Sequence, residues 1–244
     1  MISKIIQWSI LLVFIPFISQ AHYLWIESMH TGKVGQKHTV KVFFGEYTYG
    51  VIEEVAGEHY KNVNNFKLWL IDPAGEKTLL EVQPQADHYA ANFTPKKEGT
   101  YTVALNNDEI DVLDYTQYDF GVFKTHYHST AQVLVGKSDQ ASAKSNENGL
   151  SVIDLSKGDY EKEGEAHLQI LYKGQPIAEQ EVDIYISDLW SKKLTTDEEG
   201  KISFKLPWAT KYIIETTKKE EVPGAYKGED YEFIWHCATY SINL

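Results

Sequence analysis

Short runs with a two-residue hydrophobic period, cut by turn residues, dominate this chain. "HTVKVFFG" (His38 to Gly45), "NFKLWLID" (Asn65 to Asp72), "HYAANFTP" (His88 to Pro95) and "GTYTVALN" (Gly99 to Asn106) alternate or are rich in β-branched and aromatic residues. Between them stand "DPAGEK" and "PKKEGT", which carry the Pro, Gly and Asp chemistry of turns. Alternation of this kind buries one face of a strand, and little of the chain repeats at the helical period. The expected class is all-β, an antiparallel sandwich, with "THYHSTAQVLVG" (Thr125 to Gly136) as its last long strand.

The composition then changes. "KSDQASAKSNENG", Lys137 to Gly149, is polar and lacks large apolar residues, so it is a linker or a long surface loop. After it the strand pattern restarts: "EAHLQILYKGQPIAEQEVDIYIS" reads as two strands about a Gly-Gln-Pro turn, and "LTTDEEGKISFKLP" as a turn between strands. "KYIIETTK" and "YEFIWHCATYSINL" add more strands. The expected organisation is a first sandwich over 22–136, a connecting segment over 137–149 and a second sandwich over 150–244. At 244 residues, 43% of them hydrophobic, the chain can bury one large core or two smaller ones.

The first 21 residues are of another kind. "MISKIIQWSILLVFIPFISQA" has an early Lys4, an apolar run from Ile5 to Ile18, and small residues at Ser19 and Ala21. This is the pattern of a cleaved secretory signal with the cut after Ala21. The run is shorter than the roughly 20 residues a spanning helix needs. An exported, periplasmic or secreted protein follows. The formal charge of −12 disfavours nucleic acid as a partner and suits cationic ligands. One cysteine, Cys237, supports neither an intrachain disulfide nor a zinc–cysteine site.

Cleavage after Ala21 makes His22 the first residue. Its α-amine and Nδ1 would then close a six-membered chelate on one metal ion, which no internal histidine can do. The amine titrates close enough to neutrality, near ~8, for a metal to displace its proton. The expected third nitrogen comes from "THYHS", where His126 and His128 share one strand face and Tyr127 points the other way. Ala131, Val133 and Val135 share the parity of Tyr127, which puts both histidines on the less apolar face, open to a ligand. The candidate metal ligands are therefore His22, His126 and His128, with His236 a core or interface histidine held in reserve. Nitrogen-rich tetragonal sites favour Cu(II) or Ni(II). Glu46, Glu53, Glu54 and Glu58 lie in an aromatic-rich segment that reads as a charged surface loop, with a border to the site as its alternative. His30, His38, His59 and His167 occur singly and receive no role.

Two resemblances follow from these motifs. "YKGQPIAEQEVDIY" followed by "TTDEEGKISFKLP", with Thr196, Asp197 and Gly200, resembles the transthyretin-like or carboxypeptidase-regulatory-like sandwich modules, which bears on fold alone. The whole mature chain is similar to a bacterial periplasmic family long filed as a domain of unknown function. The similarity rests on the Ala-His-aromatic-Leu-Trp-Ile-Glu start, "FTPKKEGTY" and the closing "HCATYSINL". Some members of that family are called nickel-uptake accessory components. The resemblance implies a metal-uptake role, with nickel or cobalt as the ion and a membrane metal transporter as partner.

The leading functional expectation is a metal-binding, non-enzymatic protein that captures nickel, cobalt or copper for uptake, delivery or buffering. There is no Gly-x-Ser-x-Gly elbow, no phosphate-cradling loop and no His-Glu-x-x-His helix. Two alternatives stand beside it. One is an interaction or carbohydrate-binding sandwich protein whose histidines are incidental. The other is a copper oxygenase using an aromatic face around Tyr23, Trp25, Tyr47 and Tyr49.

Overall fold

The computed structural model describes residues 22–138, 140–156, 160–187 and 189–244, and the expected leader lies outside the described residues. The protein is all-β, as the period-two patterning requires. The four runs quoted above form the strands His38–Glu46, Lys67–Ile71, Tyr89–Phe93 and Gly99–Asn107.

Three sheets make two sandwiches. The first sheet holds, in order, Tyr23–Ser28, His38–Glu46, Tyr89–Phe93 and Val82–Pro84. The third holds Leu150–Asp154 on one edge of Glu165–Tyr172, with Gln175–Pro176 and Lys201–Lys205 both on the opposite edge. Between them runs one long sheet shared by both halves. Its order is Ser191–Thr195, Glu181–Tyr185, Lys211–Glu220, Phe233–Asn243, Val122–Val135, Gly99–Asn107, Lys67–Ile71 and Lys77–Leu79. The first core gathers Leu24, Ile26, Val40, Val42, Val103 and Val133, and the second gathers Val152, Leu168, Ile170, Ile184, Ile214 and Tyr240.

The two sandwiches therefore meet through hydrogen-bonded strands. Val122–Val135 and Phe233–Asn243 pair in parallel, with Phe123 opposite Phe233 and Thr130 opposite Tyr240. A parallel pair needs a long crossover, which the second half of the chain supplies. Segment 140–149 is bound to the strands beneath it. Ala143 N donates to Thr102 Oγ1 at 2.8 Å, Asp154 N to Ser142 Oγ at 2.8 Å, and Asn146 Nδ2 to Leu150 O at 2.8 Å.

The Thr-Asp-x-x-Gly motif is a corner between sheets: Ser191–Thr195 lies in the long sheet and Lys201–Lys205 in the third. Asp197 Oδ1 accepts from the backbone N–H groups of Glu199 and Lys201 at 2.9 and 2.8 Å. Gly200 adopts φ +72°, and a Cβ there would meet Ile170 O at 2.7 Å, so the turn requires glycine.

Tyr23–Ser28 locks the seam. Among the described residues it pairs with His38–Glu46 on one side only, so its other edge has no strand to pair with there. Hydroxyls from the seam strands meet its backbone groups instead. Ile26 N donates to Ser129 Oγ at 3.1 Å, Thr239 Oγ1 donates to Leu24 O at 2.8 Å, and Ser241 Oγ donates to Ile26 O. Leu24, Trp25 and Ile26 are all fully buried, at roughly 1.5–3 kcal/mol of apolar burial each. Trp25 stacks on Phe43 at 5.5 Å, which makes it a core residue.

Candidate metal centre

The hydroxyl row that locks Tyr23–Ser28 continues one step to the residue before the strand. Tyr127 Oη donates to His22 O at 2.8 Å, fixing His22 at the end of the seam. The loop that comes to meet it is shaped by Gly45. That residue adopts φ +149°, and a Cβ on it would lie 2.2 Å from Val51 O, so only glycine allows the chain to fold back this closely. Val51–Ile52 then pairs with Gly45 and Glu46, and Glu53 N donates to Phe44 O at 2.9 Å.

Glu53 arrives beside His22 in this way, with Oε1 2.7 Å from His22 Nε2. The same oxygen lies 3.0 Å from His59 Nδ1. His59 sits on the one-turn helix Glu58–Lys61, which is anchored by its neighbour Tyr60, fully buried with Oη donating to Val42 O at 3.0 Å. Three segments thus bring three ligand atoms within 4.8 Å of one another. The His22 and His59 rings meet edge to face at 5.7 Å, and Phe44 closes one side of His22 at 5.3 Å. His22 and Glu53 side chains are each 19% exposed and His59 is 68% exposed, so the cluster is anchored inside and open outside. Hydrogen bonds from His59, and then from His22, hold the Glu53 carboxyl below its ordinary range against the opposing effect of burial. An ionised carboxylate with two imidazoles is a donor set suited to a divalent transition metal.

His126 and His128 do not join this cluster. They project from the opposite face of Val122–Val135 to Tyr127, as their parity dictates, and His22 lies on the Tyr127 side. The expectation that their face would be open is corrected as well. That face is covered by the third sheet and by segment 140–149, with Thr130 Oγ1 donating to Val152 O at 3.0 Å. His128 is 2% exposed, and both its nitrogens are engaged, Nδ1 at 2.7 Å from Asn106 Oδ1 and Nε2 at 2.9 Å from Ser145 Oγ. Burial pushes its imidazole down to about 3. His126 instead faces a cavity of about 590 Å³ beneath the segment. A strand in a shared sheet has two covered faces, so a less apolar face is not a solvent face.

Neither Glu53, in a segment that reads as a charged loop, nor the singly occurring His59 is marked as a ligand by its local pattern. The available signal was the pair of glycines, Gly45 and Gly50, framing "EYTY" in a fold-back that brings Glu53 to the strand start.

The domain-of-unknown-function model DUF4198 matches residues 19–220. The chain belongs to the DUF4198 family. No functionally curated protein matches it. Among solved structures, this DUF4198 chain aligns over 91% of its length with 15% of Salmonella alpha-2-macroglobulin reacted with methylamine, at 10% identity and TM-score 0.29. It also aligns over 78% with half of a DUF4785 family protein from Legionella pneumophila, at 10% identity and TM-score 0.28. A third match, over 92% of this chain and 48% of the other, is a Ca²⁺-stabilised adhesin that helps an Antarctic bacterium bind ice, at 13% identity and TM-score 0.25. The chain thus spans half or less of each of these proteins.

Proposed function

We propose that this DUF4198 protein is an exported metal-binding protein that captures a divalent transition metal ion, nickel, cobalt or copper, at His22, Glu53 and His59. The observation that carries the reading is one carboxylate oxygen shared by two imidazoles that three separate segments deliver to the surface. The ion replaces the two hydrogen bonds on Glu53 and draws the three donors inward to about 2.0–2.2 Å. Cleavage after Ala21 would free the α-amine of His22, and the amine with Nδ1 then offers an alternative chelate on the opposite edge of the ring. In that alternative Glu53 does not ligate the ion; it orients the ring through Nε2, as carboxylates do for metal-bound histidines. The open side at His59 suits release of the ion to a transporter or other acceptor, so the role is capture and delivery rather than catalysis.

The test is a calorimetric titration of Cu(II), Ni(II) and Co(II) into the chain beginning at His22. Glu53→Gln and His59→Ala weaken binding about 10- to 100-fold, whereas His128→Asn leaves it unchanged. Acetylation of the His22 amine reports on it: a further large loss assigns the chelate to the amine. Binding that ignores Glu53→Gln, His59→Ala and acetylation alike overturns the reading and favours a sandwich that recognises a partner without metal.

A further inference from the structure

The opposite face of the seam carries a second histidine pair. In the parallel register His126 stands directly beside His236, and their rings meet edge to face at 5.1 Å. His236 is 1% exposed, and its Nε2 lies 2.8 Å from Glu220 Oε2. Burial works against ionisation of Glu220, yet hydrogen bonds from Lys173 and His236 bring its carboxyl down to about 2. A carboxylate at Nε2 fixes the proton there and leaves Nδ1 as a bare lone pair. Nδ1 is buried without a hydrogen-bond partner among the described residues. Leaving such an atom orphaned is costly enough that native structures normally supply something for it.

His126 is also without a hydrogen bond among the described residues. It lines the 590 Å³ cavity together with Asn106, Asp108 and Asn146. Gly149 bounds the approach to Nδ1: a Cβ at that position would come within 2.6 Å of His236 Nδ1. Both imidazoles are kept neutral by burial, the form that ligates metals, with His126 pushed down to about 4. Two imidazoles bound to one ion at ~2.0–2.1 Å, at an angle a little over a right angle, place their ring centroids about 5 Å apart. The observed 5.1 Å falls at that value, which is equally the spacing of an edge-to-face ring pair.

We propose that His126 and His236 form a second site for an imidazole-seeking divalent ion, Zn(II) or Cu(II), reached past His126, which lines the cavity under segment 140–149, with Gly149 standing against His236 Nδ1 behind it. Glu220 orients His236 from behind, and water in the cavity fills the remaining positions. This site is separate from the cluster at His22, on the other face of the seam.

Cu(II) is the probe, titrated by calorimetry into chain 22–244 that carries His22→Ala, Glu53→Gln and His59→Ala, which together remove every imidazole and the carboxylate of the first site. One remaining equivalent is expected, with electron paramagnetic resonance showing two imidazole nitrogens on the copper. Adding His126→Gln, or separately Gly149→Ala, weakens that equivalent at least tenfold, and melting curves verify that each protein is folded. Absence of copper uptake by the disabled protein, or uptake indifferent to both replacements, overturns the proposal and assigns the orphan nitrogen to a buried water. Failure of the His22 reading shows separately, as binding to the intact chain that ignores Glu53→Gln, His59→Ala and acetylation of the amine.

Discussion

Replacing Glu215 with glutamine isolates one charge that the fold holds in a costly place. Glu215 lies on Lys211–Glu220 directly opposite Asp183 of the neighbouring strand and is 8% exposed. Its Oε1 is 3.6 Å from Cys237 Sγ, and Tyr23, Tyr185 and the buried Glu46 lie nearby. Burial, with the like charges of Asp183 and Glu46, pushes the carboxyl from 4.5 up to about 8, against the hydrogen bond from Cys237. The folded protein therefore holds a proton there between pH 4.5 and 8 that the unfolded chain has released. Stability from this group is complete below pH 4.5 and falls by about 1.4 kcal/mol for each pH unit up to 8. Over the whole interval the loss is roughly 5 kcal/mol. Glutamine keeps the shape and cannot ionise. Urea denaturation of both proteins, followed by tryptophan fluorescence from pH 5 to 9, should show Glu215→Gln gaining on the parent as pH rises. Taking the difference between the two proteins cancels the titrating groups that do not interact with Glu215. A difference that changes by less than about 1 kcal/mol between pH 5 and pH 8.5 refutes the reasoning.

Two further substitutions probe how the metal centre is positioned. Tyr127→Phe removes the donor to His22 O, at a cost of about 1 kcal/mol, so the melting temperature falls by about 2–4 °C and calorimetry shows weaker metal binding with the ligands intact. Gly45→Ala places a methyl group against Val51 O and forces a backbone angle that alanine resists; a loss of about 1–3 kcal/mol is expected in denaturant, together with loss of the Glu53 contribution to metal binding.

The strands were legible because their signal is local. "HTVKVFFG" needs only its own alternation to become His38–Glu46, and the Thr196–Gly200 turn carries its geometry in its own side chains. His22 was legible as a candidate because the leader pattern ends just before it. Its partners were not, because they are set by a fold-back at Gly45 and by a helix anchored through Tyr60, neither of which has a period. The face assignment of His126 and His128 was right in parity, and the expected exposure fails at His128, which is buried with both nitrogens engaged, while His126 lines a cavity. Parity is a property of one strand, whereas exposure depends on what packs against it.

Residue alternation and turn chemistry by themselves determined an all-β chain, and they led to the expectation of two halves joined by a polar segment. The tertiary structure alone decided that the halves share a sheet, since a parallel pair between Val122–Val135 and Phe233–Asn243 joins strands about a hundred residues apart and leaves no local trace. That seam sets Tyr127, Ser129, Thr239 and Ser241 against the open edge of Tyr23–Ser28, and so fixes where His22 stands. Ligand clusters depend on such long-range placement because their atoms must converge within a few ångströms, and strand periodicity fixes only the side on which each begins.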